Sequence, residues 1–333
     1  MKVRPTILFA LLSMAVLVLF TVDMMTGTVQ MSCADLWRAV IGRGDATTVK
    51  IVQHIRLIKA VVALLVGAGL SVSGLQMQTL FRNPLAGPYV LGITSGASLG
   101  VAMFLLGAPL LSLSGEWVSS VGVVGAAWIG SAIVLVVIGI LGSRIKDIMV
   151  ILILGMMFSS GVGALVQVLQ YLSHEDALKS FVVWTMGALG DVTATQMWIF
   201  VPTVVAGLIL AVLVIKPLNL LLLGEQYAAT MGVNLRKSRG LIFLSTTLLA
   251  GTVTAFCGPI GFVGLAVPHV TRYVFGSADN RVLVPGSVLI GMAMMLVCDM
   301  LSKQFLLPIN STTALMGIPI VVWIVLKNKD MMS

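Results

Sequence analysis

Residues 240–271 form a run of 32 positions, bounded by Arg239 and Arg272, without one formally charged side chain. A single membrane span needs about 20 apolar residues, so this run is too long for one ordinary span and too short for two full ones. Near its middle the chain reads Gly258-Pro259-Ile260-Gly261-Phe262-Val263-Gly264-Leu265-Ala266-Val267-Pro268-His269. Two prolines and three glycines in twelve positions interrupt any regular helix. At membrane depth, non-helical backbone is tolerated only where protein buries it or a water-filled cavity borders it. The run therefore predicts one span leading outward over about 240–256 and a turn at Cys257-Gly258-Pro259. A short return helix over about 259–275 follows, in a packed corner beside a pathway. Pro268 and His269 then fall toward the inner end.

The rest of the chain supports a membrane setting. Hydrophobic residues make up 59% and charged residues 10%, with a mean hydropathy of +1.09; soluble domains carry about 25% charged residues. Ten spans can be read, at about 5–25, 57–80, 89–108, 118–141, 147–171, 192–215, 240–256, 259–275, 282–303 and 309–327. With both termini inside, 13 basic residues fall on the inner side and 7 on the outer side, the asymmetry expected of cytoplasmic loops. The predicted fold is an all-α polytopic membrane protein with about ten transmembrane helices and both termini cytoplasmic. It forms one transmembrane domain over 1–333. The apolar residues 7–22 follow Lys2 and Arg4 but no A-x-A cleavage site follows them, so they read as a retained helix. The +8 net charge is scattered among apolar runs, which argues against a nucleic-acid partner. Cys33, Cys257 and Cys298 show neither metal spacing nor a disulfide framework.

Small residues recur at helical spacing: Gly92, Gly96 and Gly100; Gly122, Ala126 and Gly130; Gly155, Ser159 and Gly163; and, less regularly, Gly67, Ser71 and Gly74. In lipid, close backbone approach through such residues supplies helix packing. The longest hydrophilic stretch on the inner side covers about 216–239. Within it Leu223, Tyr227 and Met231 share one face of a short amphipathic helix, and Gly232 reads as its stop. Such a helix serves either as a lipid-hugging connector or as a docking element, and spacing alone does not choose.

Several chemistries are missing. No Gly-Lys dipeptide occurs, so there is no phosphate-binding loop. No H-E-x-x-H occurs, and His54, His174 and His269 are far apart. No catalytic residue, bound cofactor or metal site is expected on this chain. Asp23, Asp35, Asp45, Glu116, Glu175, Asp176 and Asp191 read as outer-surface acids, and Asp147, Glu225, Asp279 and Asp330 as inner ones. Only Asp299 reads as lying within a span, and a lone buried carboxylate fits a hydrogen-bonding role better than a proton relay. Energy for transport is then expected from another subunit.

The segment Gly74-Leu75-Gln76-Met77-Gln78-Thr79-Leu80-Phe81-Arg82-Asn83-Pro84-Leu85-Ala86, followed by Gly92-Ile93-Thr94-Ser95-Gly96-Ala97, resembles the FecCD-like permease subunits of type II ABC importers. These carry iron–siderophores, haem or vitamin B12. Gly258 to His269 is similar to that family's G-P-I-G-F-V-G-L-x-x-P-H signature. Gly224 to Asn234 is similar to its cytoplasmic L-G-x-x-x-A-x-x-L-G-V-N segment, with Met231 in place of Leu. Thr313-Ala314-Leu315-Met316-Gly317-Ile318-Pro319 is similar to its last-helix motif. The resemblance is strongest over about 50–327.

The resemblance implies a permease homodimer with a path along its two-fold axis, in the bacterial cytoplasmic (inner) membrane. It also implies two cytoplasmic ATPase subunits carrying ATP and Mg, and a periplasmic or lipid-anchored substrate-binding protein. Gly224, Glu225, Ala228, Met231 and Gly232 would be ATPase-coupling residues. Asn83, Pro84, Gly92, Gly96, Gly258, Pro259, Gly261, Pro268 and His269 would be pathway or structural-motif residues. The implied function is ATP-driven import of a large metal chelate by alternating access, ferric siderophore first, then corrinoid or haem. The alternative is a stand-alone secondary transporter or channel.

Two departures stand out. The family often has R-x-P-R at the outer start of the second helix; here Arg56-Leu57-Ile58-Lys59 stands there. Arg56 and Lys59 are expected either to dock acidic groups of the binding protein or to anchor the membrane edge. Lysine cannot reproduce arginine's planar fork. Before the last helix the family commonly has E-[LI]-P-[VI]-G, where this chain has Leu306-Leu307-Pro308-Ile309-Asn310.

Overall fold

The computed structural model describes residues 5–27, 31–107, 120–145 and 147–329. Lys2, Arg4, Lys146, Glu116 and Asp330, on which part of the sidedness reading rests, lie outside them, as does the start of the fourth expected span. Among the described residues there is no strand.

Seven described helices are long and apolar enough to cross a membrane. The first is α1 (Pro5–Met25). Two short helices follow, α2 (Cys33–Val40) and α3 (Ala46–Ile51), the latter running through a π turn at Val52–Arg56 into α4 (Leu57–Leu80). Next come α5 (Ile93–Ala102), extended by a π turn at Met103–Gly107, then α6 (Ser120–Arg144), α7 (Ile148–Leu172), α8 (Glu175–Met186) and α9 (Ala194–Leu213). The chain continues through α10 (Ile215–Leu222), α11 (Glu225–Thr230), α12 (Leu235–Thr246), a π turn at Thr247–Gly251, α13 (Thr252–Cys257) and α14 (Val263–Phe275). It ends with α15 (Asn280–Phe305) and α16 (Ile309–Lys329).

The expected span, turn and short second helix are present, with shifted limits. Helix starts at Leu235, not near 240, because Asn234 caps it by accepting the Lys237 N–H at 3.0 Å. The basic residues Arg236, Lys237 and Arg239 thereby join the helix. The return helix begins at Val263, after Phe262 takes a left-handed φ of 64°.

Helix α4 forms the centre, and every residue from Val66 to Leu80 is buried. Its small residues let backbones meet. A Cβ placed on Gly67 would lie 2.6 Å from the carbonyl carbon of Gly291 in α15. The expected stripes on α5 and α6 pack on each other, with Gly96 against Gly130 and Gly100 against Ala126. The α7 stripe does so only in part: Gly155 meets Val90 and Leu91, whereas Gly163 faces open space. The letters G-x-S-x-G occur at Gly96-Ala97-Ser98-Leu99-Gly100, but inside α5, not at the strand-to-helix turn of a hydrolase nucleophile.

Helices α2, α3 and α8 were absent from the span reading. Each has a polar start. Ser32 accepts the Asp35 N–H, and Asp45 accepts the Thr47 and Thr48 N–H groups. Glu175 and Asp176 occupy the first turn of α8, where acidic groups suit the helix dipole.

Candidate functional site

The two longest family-like segments meet in one seam between α4 and α14. A Cβ on Gly74 would lie 2.5 Å from the carbonyl carbon of Gly264, so the two backbones touch there. One turn on, Gln78 Nε2 donates to Leu265 O at 3.2 Å, and Gln78 Oε1 accepts from Arg272 Nη1 at 2.6 Å. After α4, Asn83 Oδ1 accepts the Leu85 N–H at 2.9 Å, which turns the chain at Asn83-Pro84. His269 Nε2 lies 2.8 Å from Pro84 O. A carbonyl only accepts, so Nε2 carries the proton and is committed to this bond rather than to a metal. His269 thus holds the Asn83-Pro84 turn against α14.

The backbone freed by the break is satisfied from three directions. Cys257 O accepts the Ala188 N–H at 2.9 Å, just after α8. Ile260 O accepts from the Tyr89 hydroxyl. Gly261 N–H donates to Asn310 Oδ1 at 3.0 Å, at the start of α16. Gly258 has φ 73°, and a Cβ there would lie 3.1 Å from Gly187 Cα. Glycine is required on both counts. Pro259 and Pro268 sit on either side of this junction, Pro268 buried within α14. Gly92, at φ 75°, starts α5 beside Phe158 and Ser159 of α7.

Sequence reasoning missed Tyr89, Asn310, Gln76 and Gln78 as joints. Gln76 is fully buried; its Nε2 donates to Ser245 Oγ and its Oε1 accepts from Thr246 Oγ1, both at 3.0 Å. Uncharged polar side chains inside a span were the available signal, since buried amides must find partners.

At the Arg272 end of the seam is a corner built from α10, α11 and the start of α12. The expected single amphipathic helix is two short ones, broken at Gly224 with φ 112°. Helix α11 ends at Thr230, and Gly232 follows at φ 82°. Leu223, Tyr227 and Met231 are 62%, 48% and 58% exposed, but they do not share one helix as the spacing predicted, since Leu223 precedes the break and Tyr227 follows it. Ala228 is the opposite: it is buried in a cluster with Leu80, Phe81, Leu218, Ile242 and Phe243. Glu225 is spent on Arg239, whose Nε lies 3.2 Å from Oε1. The corner therefore presents an apolar knob outward while Ala228 ties it to the end of α4. Asn219 in α10 donates to Asp279 Oδ1 at 2.6 Å and accepts the Asn280 N–H at 2.8 Å. The Arg281 N–H, then the Asn219 amide, hold the Asp279 carboxyl below the usual carboxylate range.

The opposite end of α4 corrects two expectations. Asp23 is not a surface acid: it is fully buried, and its Oδ1 lies 2.8 Å from Lys303 Nζ. Asp299 is not a lone carboxylate: it pairs with Lys59 at 3.0 Å and Lys303 at 2.7 Å. Arg56, the last residue of the π turn, donates to Met24 O at 2.8 Å and Met25 O at 3.2 Å. Both basic residues expected at the docking face have partners within the chain.

A bundle of apolar helices, a broken re-entrant corner satisfied from three sides and a protruding inner knob define a multi-pass membrane transport subunit. The FecCD transport family model matches residues 15–327. The chain belongs to that family, whose members are permease subunits of ABC importers and not themselves enzymes. It is 34% identical to the hemin transport system permease protein HmuU of Yersinia pestis, covering 100% of this chain and 99% of that one. It is 32% identical to the Fe(3+) dicitrate transport system permease protein FecC of Escherichia coli (strain K12), covering 97% of each. A solved structure described as an inward-facing conformation of a metal-chelate type ABC transporter superposes with a TM-score of 0.85 at 29% identity. It covers 97% of this chain and 100% of that one.

Proposed function

We propose that the chain is the permease of a bacterial inner-membrane importer that carries a large metal chelate from periplasm to cytoplasm by alternating access. Counting α5, α14 and α16 with the seven long helices gives ten crossings, with both termini cytoplasmic. Two copies pair around the path, two ATPase subunits dock inside with ATP and Mg, and a binding protein delivers cargo outside.

The observation that carries this reading is the inner corner. Tyr227 and Met231, between glycines at φ 112° and 82°, and Leu223 just before them are exposed as an apolar knob, while Ala228 shares a buried cluster with Phe81. A partner seated on the knob would push through Ala228 on α4, and through the seam on α14. ATPase capture by the full-length permease in nanodiscs tests this. Tyr227→Asp with Met231→Asp should lower captured ATPase at least tenfold with insertion unchanged. Undiminished capture would remove the corner from coupling.

Ferric siderophore is the first cargo, with haem and corrinoid next. Identities of 34% to a hemin permease and 32% to a ferric dicitrate permease are too even to separate cargoes. A binding assay of the partner binding protein against siderophores, haem and corrinoids decides among them. Arg56 and Lys59 serve the binding-protein face with their partners already supplied within the chain, Arg56 on Met24 O and Lys59 on Asp299.

A further inference from the structure

Helix α1 lies at the edge of the bundle: of its 21 residues only Val16, Asp23 and Met24 are buried, two of them in its last turn, while Leu12, Leu19 and Phe20 pack partly against the core. Lipid tails are as apolar as the helix, so burial of its leucines against protein gains little. At its last turn Met24 packs with Leu36, Ala39, Val52 and Ala60, and charge adds the specific hold. Lys59 of α4 pairs with Asp299 of α15, Asp299 with Lys303 one turn later, and Lys303 with Asp23 of α1. Lys303 Nζ also donates to the Asp23 main-chain carbonyl at 3.1 Å. Arg56 closes the circuit from the α4 side by taking the terminal carbonyls of α1, the groups a helix end leaves unsatisfied.

From this geometry we infer that Asp23, Arg56, Lys59, Asp299 and Lys303 form a permanent brace that fixes α1 to α4 and α15 as one body throughout the transport cycle. Asp23, Asp299, Arg56 and Lys303 are buried or nearly so while Lys59 is partly exposed, and removing a buried member strands its partner's charge away from water. The brace spans three helices within one chain, so alternating access can proceed by moving other elements while this body stays whole. These are positioning residues and need touch no cargo.

The test uses the full-length chain in nanodiscs, with Cys33→Ser and a reporter cysteine at Met24→Cys, a buried position beside Asp23. Maleimide labelling of this reporter should be slow. Lys303→Ala should speed it at least tenfold. Lys303→Arg, which keeps a cation facing both Asp23 and Asp299, should stay within about threefold of the parent. An unchanged rate in Lys303→Ala, or a rate in Lys303→Arg as fast as in Lys303→Ala, overturns the brace. In the otherwise intact reporter chain with ATPase, binding protein and ATP, labelling should match the resting rate. A tenfold rise on turnover would make the cluster a gate and overturn its permanence. Only this last arm rests on the transport reading, so failure of that reading leaves the Lys303 arm intact.

Discussion

Gly74→Ala tests the seam on which the rest of the site depends. The added Cβ would lie 2.5 Å from the carbonyl carbon of Gly264 and 2.6 Å from its Cα, where ordinary contact begins near 3.4 Å. The two helices would have to part by more than about 0.9 Å, because the Gly264 carbonyl oxygen lies closer still. No flexible side chain can yield, because the obstruction is backbone. Overpacking of a tight interior costs roughly 1–3 kcal/mol, and a backbone clash belongs at the top of that range. At about 2 °C per kcal/mol for a chain of this size, the melting temperature should fall by about 6 °C. Parting the helices also stretches the bonds from Gln78 to Leu265 and from His269 to Pro84, so ATP-driven uptake should fall with stability. Gly69→Ala on the same helix is the control. Its Cβ would meet only Leu249 and Val253 side-chain atoms at 3.6–3.8 Å, and alanine gains about 1 kcal/mol of helix propensity. That variant should melt at or above the parent. The assay is thermal unfolding in nanodiscs followed by uptake. Equal melting of the two variants would refute backbone contact as the joint between α4 and α14.

Three further outcomes follow from the geometry. Gly232→Val has no neighbour within 4 Å but must hold φ 82°, a strain of about 1–2 kcal/mol; ATPase stimulation should drop several-fold while membrane insertion stays normal. His269→Ala should cost about 1–3 kcal/mol by orphaning Pro84 O, whereas His269→Gln keeps a donor and should recover part of it; cargo selectivity measured by competition should not change in either. The Asp279 carboxyl is held below its ordinary range, so its contribution is present above the unfolded value of about 3.9 and is lost as pH falls through the lower folded value. The melting difference between parent and Asp279→Asn should persist from pH 7 to 5 and shrink below about pH 4.

Hydropathy located the membrane helices because lipid imposes length and composition on each of them. It could not reveal α2, α3 or α8, which are short, and α2 and α8 less apolar, so their signal lay in caps such as Ser32 and Asp45. The broken run was legible from Pro259 and the glycines around it, since only a buried break tolerates them. What satisfies that break was not, because Tyr89, Ala188 and Asn310 are remote in sequence. Helical spacing grouped Leu223, Tyr227 and Met231 but not the break at Gly224 that separates Leu223 from the other two, and the burial of Ala228 required knowing where Phe81 lies. Asp23 shows the limit most clearly. A carboxylate at a helix end reads as solvent-facing until a lysine 280 positions later is brought beside it.

Uptake into proteoliposomes tests the central claim most directly. The permease, reconstituted with its ATPase and binding protein, should accumulate the bound metal chelate only when ATP and Mg are supplied. Uptake should be lost when the ATPase is omitted and should not change when ion gradients are collapsed. Accumulation that continues without any ATPase and follows an ion gradient would contradict the account.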